Sequence, residues 1–280
     1  MSNPLRSAIV GLALAACLLA GCGARADEAP LLIAPILEGV DLCDVDAGTP
    51  LRTSAELAAH CRASGRSAAR LFEAALSALG PARSPDGRYE VGYTLPVPLL
   101  RLLSRSESGW VIDQRAIDRF ALTVKETDRP VVIYLFSTHF AADAPIENEL
   151  FADPSNVAST PAGPMPRDRY YGTDIFPWTF ASTGNSLTSR RAAVIDGVLD
   201  ALCRLPAADR RKIRGVTLLG ELHHFHADFE RGMGVGGPYV ISDYGDASVR
   251  EFRAFLVARF GRNNGRAPRR EGGFTSLDAV

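Results

Sequence analysis

Repeated strand–helix units of a mixed α/β fold are the main structural prediction from this sequence. Short apolar segments alternate with amphipathic ones about four times, an order that favours a parallel sheet with helical crossovers. The two longest predicted loops both follow apolar segments, so they would lie at one edge of that sheet. Loops at the carboxyl ends of parallel strands are typical of a TIM barrel. We therefore predict TIM-barrel-like (β/α) repeats that form a partial or truncated barrel.

The individual elements follow from hydrophobic spacing and from residues that begin or end a segment. Strands are predicted over residues 31–37, 89–95, 129–136 and 216–221. Helices are predicted over residues 67–79, 113–127, 189–205 and 247–260, with long loops over 137–183 and 222–244. The segment after Arg129 is apolar without alternation, which indicates burial on both faces. Asp113 can cap the second helix, and Gly80 and Gly261 end the first and the last.

The amino terminus has the features of a bacterial export signal. An apolar segment over residues 8–20 follows Arg6 and falls short of the roughly 20 residues that span a bilayer. The sequence Leu19-Ala-Gly-Cys22 resembles a lipobox, which implies a lipid on the Cys22 sulfur and cleavage before it. An ordinary signal peptide with an incidental cysteine is the alternative.

These features predict the domain organisation and the location of the chain. We expect a lipoprotein signal peptide over 1–21, a tether over 22–30 and a barrel-like domain, either complete or truncated, over 31–280. Fatty-acyl chains would anchor the protein to the bacterial cell envelope, facing the periplasm or the surface. Gly23 after the cysteine resembles outer-membrane sorting, so the outer membrane is favoured.

Composition indicates a folded globular chain. The 280 residues are 46% hydrophobic and 22% charged, with a net charge of −1. A nucleic-acid partner is not predicted, because it requires a concentrated basic surface. Export permits disulfides, and Cys43 and Cys61 flank a polar stretch that they could bridge. Cys203 lies in a helical pattern and is expected to be a buried small hydrophobe.

Glu221 carries the strongest indication of chemistry. It ends a predicted apolar strand, where partial desolvation raises a carboxyl pKa and suits a general acid. His223 and His224 follow it directly, and His139 follows the preceding strand. Trp178, on the long loop between them, could form a platform for sugar rings.

These segments resemble the barrel of clan A glycoside hydrolases, with the β-galactosidase-like members most similar. The resemblance rests on residues 129–140, Pro177-Trp178, residues 215–221 and the segment that begins Tyr244-Gly-Asp. It implies that Glu221 is the catalytic acid/base at the end of the fourth strand. It also implies a carbohydrate ligand, and we assign substrate binding to His139, Trp178, His223, His224 and Tyr244.

Two departures from the clan pattern affect this expectation. Gly220 stands where the clan has an asparagine that contacts the sugar. The clan nucleophile is a second Glu at the seventh strand, whereas four strands are predicted here, and a retaining mechanism needs two carboxyl groups about 5–5.5 Å apart. Glu38 or Asp41, after the first strand, could substitute as the second carboxylate.

Other interpretations of these residues stay open. Glu221 could form a structural ion pair with an arginine, and Trp178 could pack its loop onto the barrel. His223, His224 and His226 could bind a metal with Asp228, although we predict no metal and no cofactor. The functional alternatives are a non-catalytic lipoprotein that binds a glycan or a protein partner, and a truncated inactive fragment.

Overall fold

The computed structural model describes residues 29–39, 41–136, 145–160, 163–170, 173–179, 182–220, 243 and 245–260. Within these ranges the fold is mixed α/β, with seven α-helices and small sheets, of which the three-stranded one is parallel. The predicted α/β class is therefore confirmed. The described strands do not close into a barrel.

Eleven strands and seven helices occur in the described ranges. The strands are β1 (Leu31–Ile33), β2 (Tyr89–Val91), β3 (Tyr93–Pro98), β4 (Leu103–Ser106), β5 (Gly109–Ile112), β6 (Val131–Phe136), β7 (Ser159–Thr160), β8 (Gly163–Pro164), β9 (Asp168–Tyr170), β10 (Thr173–Ile175) and β11 (Ile213–Gly220). The helices are α1 (Ser54–Ser64), α2 (Ala69–Ser77), α3 (Gln114–Glu126), α4 (Pro145–Phe151), α5 (Ser186–Cys203), α6 (Ala207–Arg210) and α7 (Asp246–Phe260).

The parallel strands lie in the order in which the chain makes them. β3 pairs in parallel with β6, and β6 pairs in parallel with β11. On the other side, β1 pairs in parallel with β2, and a parallel bridge joins Ile36 to Thr94 of β3. Parallel neighbours in space thus follow one another along the chain, with helices between β1 and β2, between β3 and β6, and between β6 and β11.

Three helices cover one face of this sheet. The core cluster combines inward residues of β2, β3 and β6 with the apolar faces of α2, α3 and α5. The strand residues in it are Val91, Tyr93, Leu95, Val97, Val131, Ile133 and Leu135, which alternate along their strands and so share one face. The other face carries Tyr134 and Phe136, which are partly exposed and stack with ring centroids 5.4 Å apart.

The helices form where apolar spacing and capping residues coincide. α3 is strongly amphipathic, and the Asp113 side chain accepts a hydrogen bond from the Ala116 N–H at 3.1 Å, as predicted. α1 begins with a capping box, in which Thr53 and Glu56 each bond to the other's backbone N–H. α5 begins after Asn185, whose side chain accepts from the Thr188 N–H at 2.8 Å.

Several elements differ from the sequence prediction. α1 and the antiparallel β4–β5 hairpin fall where no element was predicted. The stretch predicted as an irregular loop over 137–183 contains α4 and two short antiparallel pairs, β7–β8 and β9–β10. The expectation that Cys203 is buried is wrong. Leu202 faces the core, whereas Cys203, the next residue of α5, lies on the exposed side of the helix.

Cys43 and Cys61 form a disulfide that closes the segment between β1 and α1. Their Cα atoms lie 5.3 Å apart, and both residues are fully buried. Cys61 is the buried residue of α1, so the disulfide fixes this helix where apolar contacts are few. Within the described ranges, none of the helices has the length and apolar content needed to span a bilayer.

Gly92 allows the backbone of one strand to turn between two neighbours. Its N–H donates to the Ile33 carbonyl at 2.8 Å, and the next N–H, that of Tyr93, donates to the Pro130 carbonyl at 3.0 Å. A Cβ at position 92 would lie 2.0 Å from that Pro130 oxygen. The close approach therefore requires glycine, which lets one chain pair with β1 and then with β6.

We expect Gly92→Ala to lower the free energy of unfolding, because the methyl group must displace backbone that holds β3 against β6. Overpacking of this kind costs about 1–3 kcal/mol, measurable by denaturant unfolding. Gly215→Ala, in β11, is the matched control, since a Cβ there meets nothing within 4 Å. Equal stability of the two variants would contradict the close packing at Gly92.

Candidate functional site

The carboxyl edge of the parallel sheet is where the predicted site residues were expected. Register pairs Gly220, the last residue of β11, with Phe136, the last residue of β6. Glu221 follows the first and Ser137 the second, so the chain leaves both strands at adjacent positions. The side chains assigned to the site from sequence that lie outside the described residues are Glu221, His139, His223, His224 and Tyr244, together with the predicted lipid site Cys22.

Trp178 lies in a second apolar cluster beside this edge. It is 2% exposed, stacks on Phe176 with centroids 5.1 Å apart, and meets Phe151 edge-on at 6.3 Å. The remaining members are Leu100, Ile146, Leu150 and Leu187. Its indole N–H has no hydrogen-bond partner in the described residues. Trp178 is therefore buried, as expected if it packs its loop onto the fold, and neither face of its ring is open to a sugar.

Two buried charged residues near this cluster were not found from sequence. Glu147 of α4 is fully buried, and Arg191 of α5 is 5% exposed. Burial lowers the pKa of the Arg191 guanidinium to about 10, and the negative charge of Glu147 opposes the shift. Removing either charge would leave the other buried without its opposite charge, which is strongly destabilising. The opposite charges of Glu147 and Arg191 therefore interact between α4 and α5.

Asp41, one of the expected second carboxylates, is held by arginines. Arg62 Nη1 lies 3.2 Å from one carboxylate oxygen, and Arg101 Nη2 contacts the other. The Asp41 side chain is 28% exposed. Glu38, the other expected candidate, is exposed at the end of the same segment. Asp41 thus joins α1 to the segment that follows β3.

A hydrogen-bonded group of three side chains ties the Trp178 segment to the start of α7. Asp243 Oδ1 accepts from Thr179 Oγ1 at 2.6 Å and from Ser248 Oγ at 3.0 Å. Thr179 and Ser248 are 2% and 3% exposed. Asp243 has a φ of 74°, a left-handed backbone that non-glycine residues seldom adopt. The carboxylate is thereby aimed at two buried hydroxyls, 64 and five residues away in sequence.

Glu251 of α7 makes the second connection to that segment. Its carboxylate accepts from the backbone N–H groups of Thr183 and Gly184 and from the hydroxyls of Thr183 and Ser182, at 2.7–3.1 Å. The Thr183 N–H is the main cause of a pKa lowered to about 2, opposed by partial burial and reinforced by the two hydroxyls. The residues before α5 and the helix α7 are therefore joined by one charged group.

Comparison of the chain with protein-family models, with curated proteins and with solved structures finds no match. Among the side chains that the structure describes, no group of three or more His, Cys, Asp or Glu is arranged to hold a metal ion. The site is thus defined by strand ends that meet at one edge, with the Trp178 cluster and the Asp243 and Glu251 contacts beside them.

We expect Glu251→Gln to destabilise the protein at neutral pH and to lose this effect in acid. The folded pKa of about 2 lies below the unfolded value of about 4.3, so the stabilisation is present above that value and is lost as pH falls towards 2. Urea unfolding of both proteins at pH 7 and near pH 3 measures the difference. Glu107→Gln, at an exposed turn, is the control. A pH-independent difference would contradict the charged contact.

Proposed function

We propose that the protein is an envelope-anchored lipoprotein with a partial (β/α) barrel whose carboxyl edge acts on glycans. In this proposal a lipid on Cys22 holds the chain to the membrane. Glu221 is the general acid/base, and His139, His223, His224 and Tyr244 bind the carbohydrate. Trp178 supports the loop that lies beside them, which is the role its burial favours.

The barrel assignment is supported by strand order and by the position of the helices. In a doubly wound sheet the strand order reverses and helices cover both faces. Here the parallel order follows the chain from β1 to β11, and α2, α3 and α5 pack on one face. In a barrel the strands likewise follow the order of the chain. Its helices lie on the outside only, and the second face of the sheet is turned inward. Tyr134 and Phe136 would then belong to the inner face.

The pairing of Gly220 with Phe136 is the observation that carries the functional proposal. It brings together the strand ends that lead into Glu221 and into the segment with His139. Barrel enzymes carry their catalytic residues at carboxyl strand ends, where several strands contribute one side chain each. A carboxyl group at the end of an apolar strand is also partly removed from water, which favours its protonated form.

Glu221 would act twice in a retaining reaction. It first donates its proton to the glycosidic oxygen as the bond to the anomeric carbon breaks. It then accepts a proton from the water that attacks the same carbon. In the first step another carboxylate must attack the anomeric carbon as the glycosidic bond breaks, and in the second step the water displaces that carboxylate.

Non-catalytic glycan binding is the second candidate function, and the environment of Asp41 favours it. A nucleophilic carboxylate must reach the anomeric carbon, whereas both oxygens of Asp41 contact arginines. Glu38 is exposed and is therefore the carboxylate that hydrolysis would have to recruit from the β1 side. If neither serves, the same edge would bind sugars without cleaving them.

Hydrolysis is tested with the full chain and a panel of aryl glycosides. We expect Glu221→Gln to lower kcat/KM by about 10²–10⁴ for substrates whose leaving group needs a proton. The loss should be much smaller with dinitrophenyl glycosides, because that leaving group departs without protonation. Asp128→Asn, an exposed carboxylate before β6 at the opposite edge, is the control and should keep full activity.

Three results would decide between the two candidates. Hydrolysis that survives equally in Glu221→Gln with every leaving group would contradict the assigned acid. Calorimetric glycan binding without turnover, lost on His139→Ala, would support the binding protein. Neither binding nor hydrolysis would contradict both.

A further inference from the structure

The amino-terminal edge of the sheet, opposite the candidate site, lies where the predicted tether enters the fold. The Leu31 N–H, at the start of β1, donates to the Arg88 carbonyl at 2.9 Å. β2, β6 and β11 run parallel to their neighbours, so they begin at this same edge. The segments that precede these strands therefore surround the point at which the chain arrives from Cys22.

These segments are rich in basic residues. Residues 80–90, 125–130 and 204–214 together carry nine arginine or lysine residues and five aspartate or glutamate residues. The whole chain, by contrast, has a net charge of −1. A local excess of positive charge is thus concentrated at one end of the molecule, which we call the basic edge.

The segments that follow the strands have the opposite balance. Residues 38–43, 99–113 and 145–179 together carry four arginine or lysine residues and nine aspartate or glutamate residues. The two ends of the parallel sheet therefore differ in the sign of their charge. A protein with this polarity has a preferred orientation next to a charged surface.

Four arginines of the basic edge are accessible to a ligand. Arg83, Arg88, Arg204 and Arg211 are exposed, and their side chains form no ion pair or hydrogen bond with other described residues. By contrast, Arg214 is held by Glu90 at 2.9 Å and Lys212 by Asp209 at 2.8 Å. Arg83 and Arg211 also line a cavity of about 300 Å³.

We propose that the basic edge docks on the anionic phospholipid headgroups of the bilayer that holds the protein. This inference rests on the proposed lipid on Cys22. Eight residues lie between Cys22 and Leu31, so the nine Cα–Cα steps of the tether reach at most about 32 Å. A tether of that length keeps the body near the membrane but does not orient it. Exposed arginines near an anionic surface supply the orienting attraction.

Docking in this way gives the proposed site its direction. Strands run from the basic edge to the carboxyl edge, so contact of the first with lipid turns the second away from the bilayer. The acidic balance of the carboxyl end adds to this, because anionic lipid repels it. The carboxyl ends of β6 and β11 would then face the aqueous compartment, where soluble glycans diffuse.

Cys203 provides a direct test, because it is exposed, forms no disulfide and precedes Arg204. The full chain is produced with its own signal, labelled at Cys203 with a fluorophore and reconstituted into vesicles that contain a headgroup quencher. The vesicles are neutral phosphatidylcholine, with or without about one third phosphatidylglycerol. Ser108→Cys in a Cys203→Ser background places the label in the hairpin after β3 for comparison.

We expect quenching at Cys203 to rise about twofold or more with phosphatidylglycerol and to fall again at about 0.5 M salt. Arg83→Glu with Arg211→Glu should remove the rise. Arg52→Glu with Arg115→Glu, an equal charge change at exposed positions outside the basic edge, should keep it. Quenching at position 108 should not rise.

Equal quenching at Cys203 in both vesicles, or an equal rise at position 108, would overturn the proposed docking. Flotation of the same samples reports separately on the anchor. A chain that floats with anionic but not with neutral vesicles, and still shows the rise at Cys203, would overturn the lipid on Cys22 and support the basic edge. A chain that floats with neither would overturn both.

Discussion

Burial of a single face of the parallel sheet is the constraint on which the rest of the structure depends. α2, α3 and α5 all pack against the alternate residues of β2, β3 and β6 that point one way. Burial of that apolar face supplies the main stabilisation. On the other face of β6, Tyr134 and Phe136 are only partly buried. In a barrel this second face would be the inner one, and the carboxyl edge that bounds it would carry the site.

Elements with strong local patterns were predictable from the sequence. β6 is a continuous apolar segment, and α3 has apolar residues at helical spacing behind a capping aspartate. α1 has no comparable pattern, since Cys61 is the residue that it buries, and a disulfide with Cys43 fixes it instead. α4 depends on contacts with Trp178 and Leu187, which lie more than 25 residues further along the chain. Local periodicity contains none of that information.

Some residues of the candidate site could likewise be selected from local sequence, whereas others could not. Glu221 could be selected because it ends an apolar strand, a property of a few consecutive residues. Glu147 with Arg191, and Asp243 with Thr179, are brought together across 44 and 64 positions by tertiary packing, so no spacing rule identifies them. The basic edge could not be predicted from the total charge of the chain. Balanced composition is compatible with strong separation of charge once parallel strands sort their preceding and following segments to opposite ends.

The proposed site depends most on the pairing of β6 with β11, which joins the two strand ends before His139 and Glu221. Register partners on neighbouring strands lie about 4.8 Å apart, within disulfide range. Tyr134→Cys with Thr217→Cys, in a Cys203→Ser background, replaces one such pair. Peptide mapping after mild oxidation should find a 134–217 disulfide in the folded protein, and little cross-link in the offset pair Val132→Cys with Thr217→Cys. Cross-linking that is absent at 134–217, or stronger at 132–217, would contradict the central claim.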